Sequence, residues 1–176
     1  FQTDDLRGDT KKLQAAGVAI NDPVPWSRKR PDGYDLKWLL SLATGSHRGV
    51  APFLIEDVTP RSERIPQTLH HRNGVTGIDK VTVAVGELGQ IEKWYGPLLE
   101  KRGTVITVPD LGAQGLRFEV GPHIFEFLTP RDAASPLVDW LRRFGPSPYS
   151  VVLNGDGSRL KPFDLGLTHG THLFVK

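Results

Sequence analysis

Pro52-Phe-Leu-Ile-Glu56-Asp57-Val-Thr59-Pro60 and Pro122-His-Ile-Phe-Glu126-Phe-Leu-Thr129-Pro130 are two copies of one pattern, with proline, glutamate, threonine and proline in matching places. Each copy is an apolar run of high β-propensity that carries a carboxylate and stops at a proline. That combination predicts a strand aiming one acid at one face. The chain reads as duplicated, and its fold follows from what surrounds each copy.

Ahead of the second copy, residues 78–85 are a β-branched run bounded by Gly77 and Gly86, which predicts a strand. Glu87 then opens an amphipathic stretch through Trp94, Tyr95, Leu98 and Leu99 that ends near Lys101-Arg102-Gly103. Its basic residues lie at the end the helix dipole favours. Residues 104–108, 115–120 and 123–128 follow as strands separated by glycine and proline, so the order is strand, helix, three strands. The first copy repeats this plan with a helix over residues 4–16 closed by Gly17, then strands at 18–20, 34–42 and 53–58. Its opening strand would lie at or before Phe1, and methionine is absent from the sequence. The first module is therefore expected to lack its N-terminal part.

The tail predicts a helix over residues 134–144, with Leu137, Trp140, Leu141 and Phe144 on one stripe and Gly145 as its stop. Strands at 149–153 and 172–175 follow, with Asn154-Gly-Asp-Gly-Ser as a turn after the first of them. The expected organisation is a first module at 1–66, a second at 67–132 and a degenerate further module at 133–176.

With 176 residues the chain can bury a core without staples. Cysteine is absent, which removes disulfides, thiolate ligands and thiol nucleophiles. No apolar run reaches membrane length and no signal-peptide pattern opens the chain, so a soluble, cytoplasmic protein is expected, with no membrane partner. A net charge of +2, with Arg28-Lys29-Arg30 as the densest basic cluster, is too little to imply nucleic acid. No glycine-rich phosphate loop or nucleophile elbow is present.

The candidate chemistry centres on the repeated acids. Glu126 alternates with Phe125 and Phe127, so strand period places it on the face of Ile124 and Leu128, where an acid needs a partner. It reads either as a metal ligand or general base, or as one half of an ion pair with Lys80. Glu56 and Asp57 point to opposite faces, and Glu56 is preferred for the site because it matches Glu126 in the repeat. Pro31-Asp32-Gly33 predicts a hairpin turn after Trp26. Arg28 and Arg30 share a face if the strand runs to that turn, and could grip a carboxylate or phosphate. Trp26 and Trp38 would flank such a site on facing strands or serve as core aromatics. His70-His71 sits in a turn, and His169 with His172 lacks a second ligand pair. Both read as surface or strand-end histidines rather than zinc ligands.

Strand, helix, three strands, repeated, with a lone carboxylate late in the last strand, resembles the vicinal oxygen chelate superfamily, and within it the glyoxalase-like domain branch. Ser27-Arg28-Lys29-Arg30-Pro31-Asp32-Gly33, Leu36-Lys37-Trp38, Pro52-Phe53-Leu54-Ile55 and Asn73-Gly74 carry the likeness. The resemblance implies an α+β fold of tandem βαβββ modules forming curved, open mixed sheets, with a small organic ligand or a metal cupped on the concave side. In active members a divalent metal (Zn, Ni, Mn or Fe) is held by His or Glu on the first and last strands of each module. Carried over, this makes Glu56 and Glu126 the metal ligands or catalytic acids, and Arg28, Arg30, Trp26, Trp38 and Lys80 the ligand contacts. Lys80 stands where metal-binding relatives often place a histidine. Two functions stay open: a metal-dependent lyase, isomerase or dioxygenase, and a metal-free protein that binds or sequesters a small molecule. Oligomeric state stays open too, with a homodimer among the alternatives.

Overall fold

Asp5, Gly8 and Gly17 set the first helix of the computed structural model, which describes residues 1–65, 70–155, 157 and 159–176. The expected module boundary at 66/67 and part of the Asn154-to-Ser158 turn fall outside the described residues. The chain divides into two compact units, Phe1–Leu69 and His70–Lys176.

In the first unit, α1 (Leu6–Ala15) is capped by the Asp5 carboxylate, which accepts from the Gly8 amide at 2.9 Å. It ends at Gly17 with φ of +88°. Leu6, Thr10 and Leu13 recur at helical spacing and are all buried, and the Thr10 hydroxyl donates to Ser41 Oγ at 2.8 Å. The sheet under the helix has three antiparallel strands in the order β1 (Val24–Lys29), β2 (Asp35–Ser41) and β3 (Leu54–Asp57). The β1–β2 hairpin closes through Pro31-Asp32-Gly33 as expected, with Gly33 at φ of +88°.

The strand expected at 18–20 shrinks to a single bridge between Ile20 and Ala43. The turn sets register outward from itself, and it pairs Lys29 through Val24 with β2. Pro23, which has no amide proton to give a ladder, ends that pairing. Gln2 bridges Ile55 in parallel, so residues 1–3 lie against β3 in the direction a first strand would take. A short helix, α2 (Arg61–Arg64), follows β3.

The second unit is built on β4 (Gly77–Ala84), α3 (Leu88–Leu99), β5 (Thr104–Val108), β6 (Ala113–Val120) and β7 (His123–Pro130), the succession read from the sequence. After them come α4 (Pro136–Phe144), β8 (Ser147–Asn154), β9 (Lys161–Pro162) and β10 (His172–Val175). All seven strands form one mixed sheet in the order β5-β6-β7-β4-β8-β10-β9, so the tail extends the sheet of this unit. β4 is central, parallel to β7 and antiparallel to β8.

Alternation sorts the side chains onto two faces. On one, Tyr95 of α3 meets Phe127 at 4.5 Å and Phe118 at 5.7 Å between ring centroids, and all three rings are buried. On the other, α4 covers Ala84, Ala113, Leu128 and Tyr149 with Leu137, flanked by Trp140 and Leu141. The fold is α+β with open sheets, one antiparallel and one mixed. No helix among the described residues is long and apolar enough to cross a membrane.

Candidate functional site

Register places one polar row across the second sheet, on the face opposite α3. Thr104 pairs with Arg117, Arg117 with Glu126, Glu126 with Thr82, Thr82 with Ser150, and Ser150 with His172. Directly paired residues share a face, so these six side chains follow one another across six strands. Glu126 lies at the centre of the row and is 2% exposed.

Both carboxylate oxygens of Glu126 are occupied. Arg117 donates to Oε1 through Nε at 3.0 Å and through its terminal nitrogen at 2.6 Å, while Lys80 Nζ stands 2.9 Å from Oε2. The expected Lys80 ion pair is present, and Arg117 joins it. The hairpin could have revealed Arg117. A two-residue Gly121-Pro122 turn pairs Val120 with His123, and counting back three positions on each side sets Arg117 opposite Glu126. The two cations keep 29% and 42% of their side-chain surface exposed, so one buried negative charge meets two half-exposed positive ones. The cluster carries one net positive charge.

In the first unit the acids are divided between two faces. Glu56 was expected to enter the site, but it turns toward α1, where its Oε2 accepts from the Leu6 amide at 3.0 Å. There it satisfies an orphan donor at the helix start and complements the helix dipole. Asp57 lies on the face opposite α1 with Gln2, Ile55 and Trp38. Arg64 holds it through Nε at 2.6 Å and the terminal nitrogen at 2.9 Å, and Gln2 Nε2 donates at 3.3 Å. The repeat therefore aligns Glu56 with Glu126 in sequence, whereas by face the counterpart of Glu126 is Asp57. A one-residue offset on a strand reverses the face, and matching letters do not show it.

The hydrogen bonds from Arg64 hold the Asp57 carboxyl below its ordinary range, although its partial burial acts the other way. A depressed folded-state pKa stabilises the fold above the unfolded value and loses that contribution as pH falls through it. Asp57→Asn is accordingly expected to flatten the decline in stability below about pH 5. Urea denaturation at stepped pH checks this, and an acid limb as steep in the variant as in the parent would contradict it.

Trp26 and Trp38 are direct cross-strand partners, on the face opposite α1 with Arg28, and Trp26 is half exposed. Arg28 has no hydrogen-bond or ion-pair partner among the described residues. Arg30 does not join it as a clamp. β1 stops at Lys29, and the Arg30 guanidinium lies 2.6 Å from Asp32 and over the Tyr34 ring at 5.8 Å. His71 accepts from the Gly74 amide in the expected turn, and His172 is a strand residue stacked on Tyr149 at 4.8 Å.

Among the described residues no three His, Asp or Glu side chains converge on a point where a metal could sit. The donor chemistry at Glu126 does not fit a divalent ion either, because the groups nearest its oxygens are two cations rather than further oxygen or nitrogen donors.

The sequence model of a glyoxalase-like domain matches residues 1–99. The chain belongs to the glyoxalase-like domain family. The fold agrees with that placement in the vicinal oxygen chelate superfamily, with its open, curved sheets. Methylmalonyl-CoA epimerase from Mycobacterium tuberculosis superimposes with a TM-score of 0.53 at 17% identity, over 61% of this glyoxalase-like chain and 91% of the epimerase. A hypothetical protein from Staphylococcus aureus superimposes with a TM-score of 0.63 at 14% identity, over 99% of this chain and 63% of that one. At these identities the likeness is one of fold. No curated protein matches this glyoxalase-like sequence.

Proposed function

We propose that this glyoxalase-like protein binds a small organic anion on the face of its seven-stranded sheet opposite α3, against Lys80 and Arg117, without a metal. The observation that carries the reading is the saturation of Glu126. With both oxygens held by cations it is poorly placed to act as ligand or base, and the cations it anchors stay partly exposed. Fixing two long basic side chains through a buried acid removes much of the entropy cost of presenting them to a ligand. The metal-dependent lyase, isomerase or dioxygenase reading rests on Glu56 and Glu126. Glu56 spends its carboxylate on the start of α1 and Glu126 on two cations.

A melting scan with malonate, succinate, acetyl phosphate and a coenzyme A thioester, alongside Zn²⁺, Ni²⁺, Mn²⁺ and Fe²⁺, tests the choice. An anion at one hundred times its dissociation constant should stabilise the fold by about 2.7 kcal/mol, and Lys80→Gln should weaken that anion about tenfold. A metal that copurifies stoichiometrically and whose stabilisation vanishes in Glu126→Gln would overturn the proposal.

A further inference from the structure

A cavity of about 380 Å³ opens between α4 and strands β8 and β10, and Trp140, Phe144, Tyr149, His172, Arg143 and Asp139 line most of it. That volume falls at the small end of the range for small-molecule sites, about 300–1,000 Å³. Its walls are aromatic. Trp140 lies 4.5 Å from Phe144 and 5.2 Å from Tyr149, at 86° to the latter, and Tyr149 stacks on His172 at 4.8 Å and 25°. The indole is fixed by its own donor, since Trp140 Nε1 gives to Ser147 Oγ at 3.0 Å and that hydroxyl gives to the Gly145 carbonyl at 3.0 Å. Phe144 closes the stripe of α4 yet is 61% exposed, an aromatic ring with no core to fill.

The polar groups of the cavity are unspent in a selective way. Asp139 is paired with Arg142 at 2.9 Å, which leaves Arg143 as the cation without an acidic partner among the described residues. The Tyr149 hydroxyl and the His172 ring nitrogens likewise have no hydrogen-bond partner among them. Burial pushes the Tyr149 phenol up, so it remains a donor across neutral pH. The far wall is held in shape by Gly170 at φ of +80°, whose amide donates to the Leu165 carbonyl at 2.8 Å.

We propose that this cavity binds a planar aromatic carboxylate, with the ring packed against Trp140, Phe144 and Tyr149 and the carboxylate on Arg143. Ring faces supply apolar contact of defined geometry, and a guanidinium favours a planar carboxylate over a neutral amide of the same shape. The site is separate from the one proposed at Lys80 and Arg117, and neither reading depends on the other.

Calorimetric titration of the full chain with 1-naphthoate and its neutral analogue 1-naphthamide tests the assignment. Naphthoate is expected to bind at least tenfold more tightly than the amide. Arg143→Gln should erase that preference, and Phe144→Ala should weaken both ligands several-fold. Both positions are exposed, so the variants should melt as the parent does. Lys80→Gln should bind naphthoate unchanged. Absence of binding up to the solubility limit would overturn the proposal, as would Arg143→Gln and Phe144→Ala variants that both bind like the parent. Loss of naphthoate binding in Lys80→Gln would overturn it too, by moving the ligand to the other site.

Discussion

In a Lys80→Met/Arg117→Met double variant, the free energy of unfolding is expected to drop by about 3–5 kcal/mol, because a carboxylate with 2% exposure loses both of its partners. Each single substitution leaves one cation in place and should cost well under half of that. Adding Glu126→Leu to the double variant should restore most of the loss, since an apolar replacement of similar bulk removes the desolvation penalty along with the pair. Urea denaturation of the parent and the four variants reads the whole cycle. A double variant within about 1 kcal/mol of the parent would mean that the ion pairs contribute little and that water reaches Glu126.

Phe127→Ala should cost a similar amount for a different reason. The ring is fully buried between Tyr95 at 4.5 Å and Phe118 at 6.1 Å, on the face that carries no charge from the Glu126 cluster. Its deletion loses transfer energy and leaves a cavity under α3, about 3–5 kcal/mol in all. Phe144→Ala, at an exposed position, should fall within about 0.5 kcal/mol of the parent by the same measurement. Equal losses in the two variants would show that α3 does not pack on β7 as described.

The elements that were legible in the sequence are those whose signals are local. β4 shows as a β-branched run between glycines, α3 as a basic-ended amphipathic stretch, and β7 as the second copy of the repeat. The misplaced strand at 18–20 had apolar residues but kept only the Ile20–Ala43 bridge, and the hairpin turn decided the longer pairing instead. The site was legible only in part for a related reason. Lys80 could be matched to Glu126 from the order of elements, but Arg117 needed the β6–β7 hairpin to be counted through. Asp57 needed the face of β3, which depends on α1 packing across it. His172 needed even more, because its place beside Ser150 rests on a parallel pairing that no local pattern encodes.

The position of β4 between β7 and β8 has a consequence for synthesis. A ribosome releases β4 first among the strands of its sheet, yet both of its neighbours lie later in the chain, the nearer beginning at His123 and the other running to Asn154. For the time that elongation takes to cover that distance, Val81 and Val83 have no strand on either side. This is the kind of segment that recruits a second nascent chain. Asp79 and Lys80, two opposite charges at the entrance to the run, are suitably placed gatekeepers for that interval. Lys80 would then serve twice, as a deterrent to wrong pairing while the chain is being made and as an anchor for Glu126 once β7 has arrived.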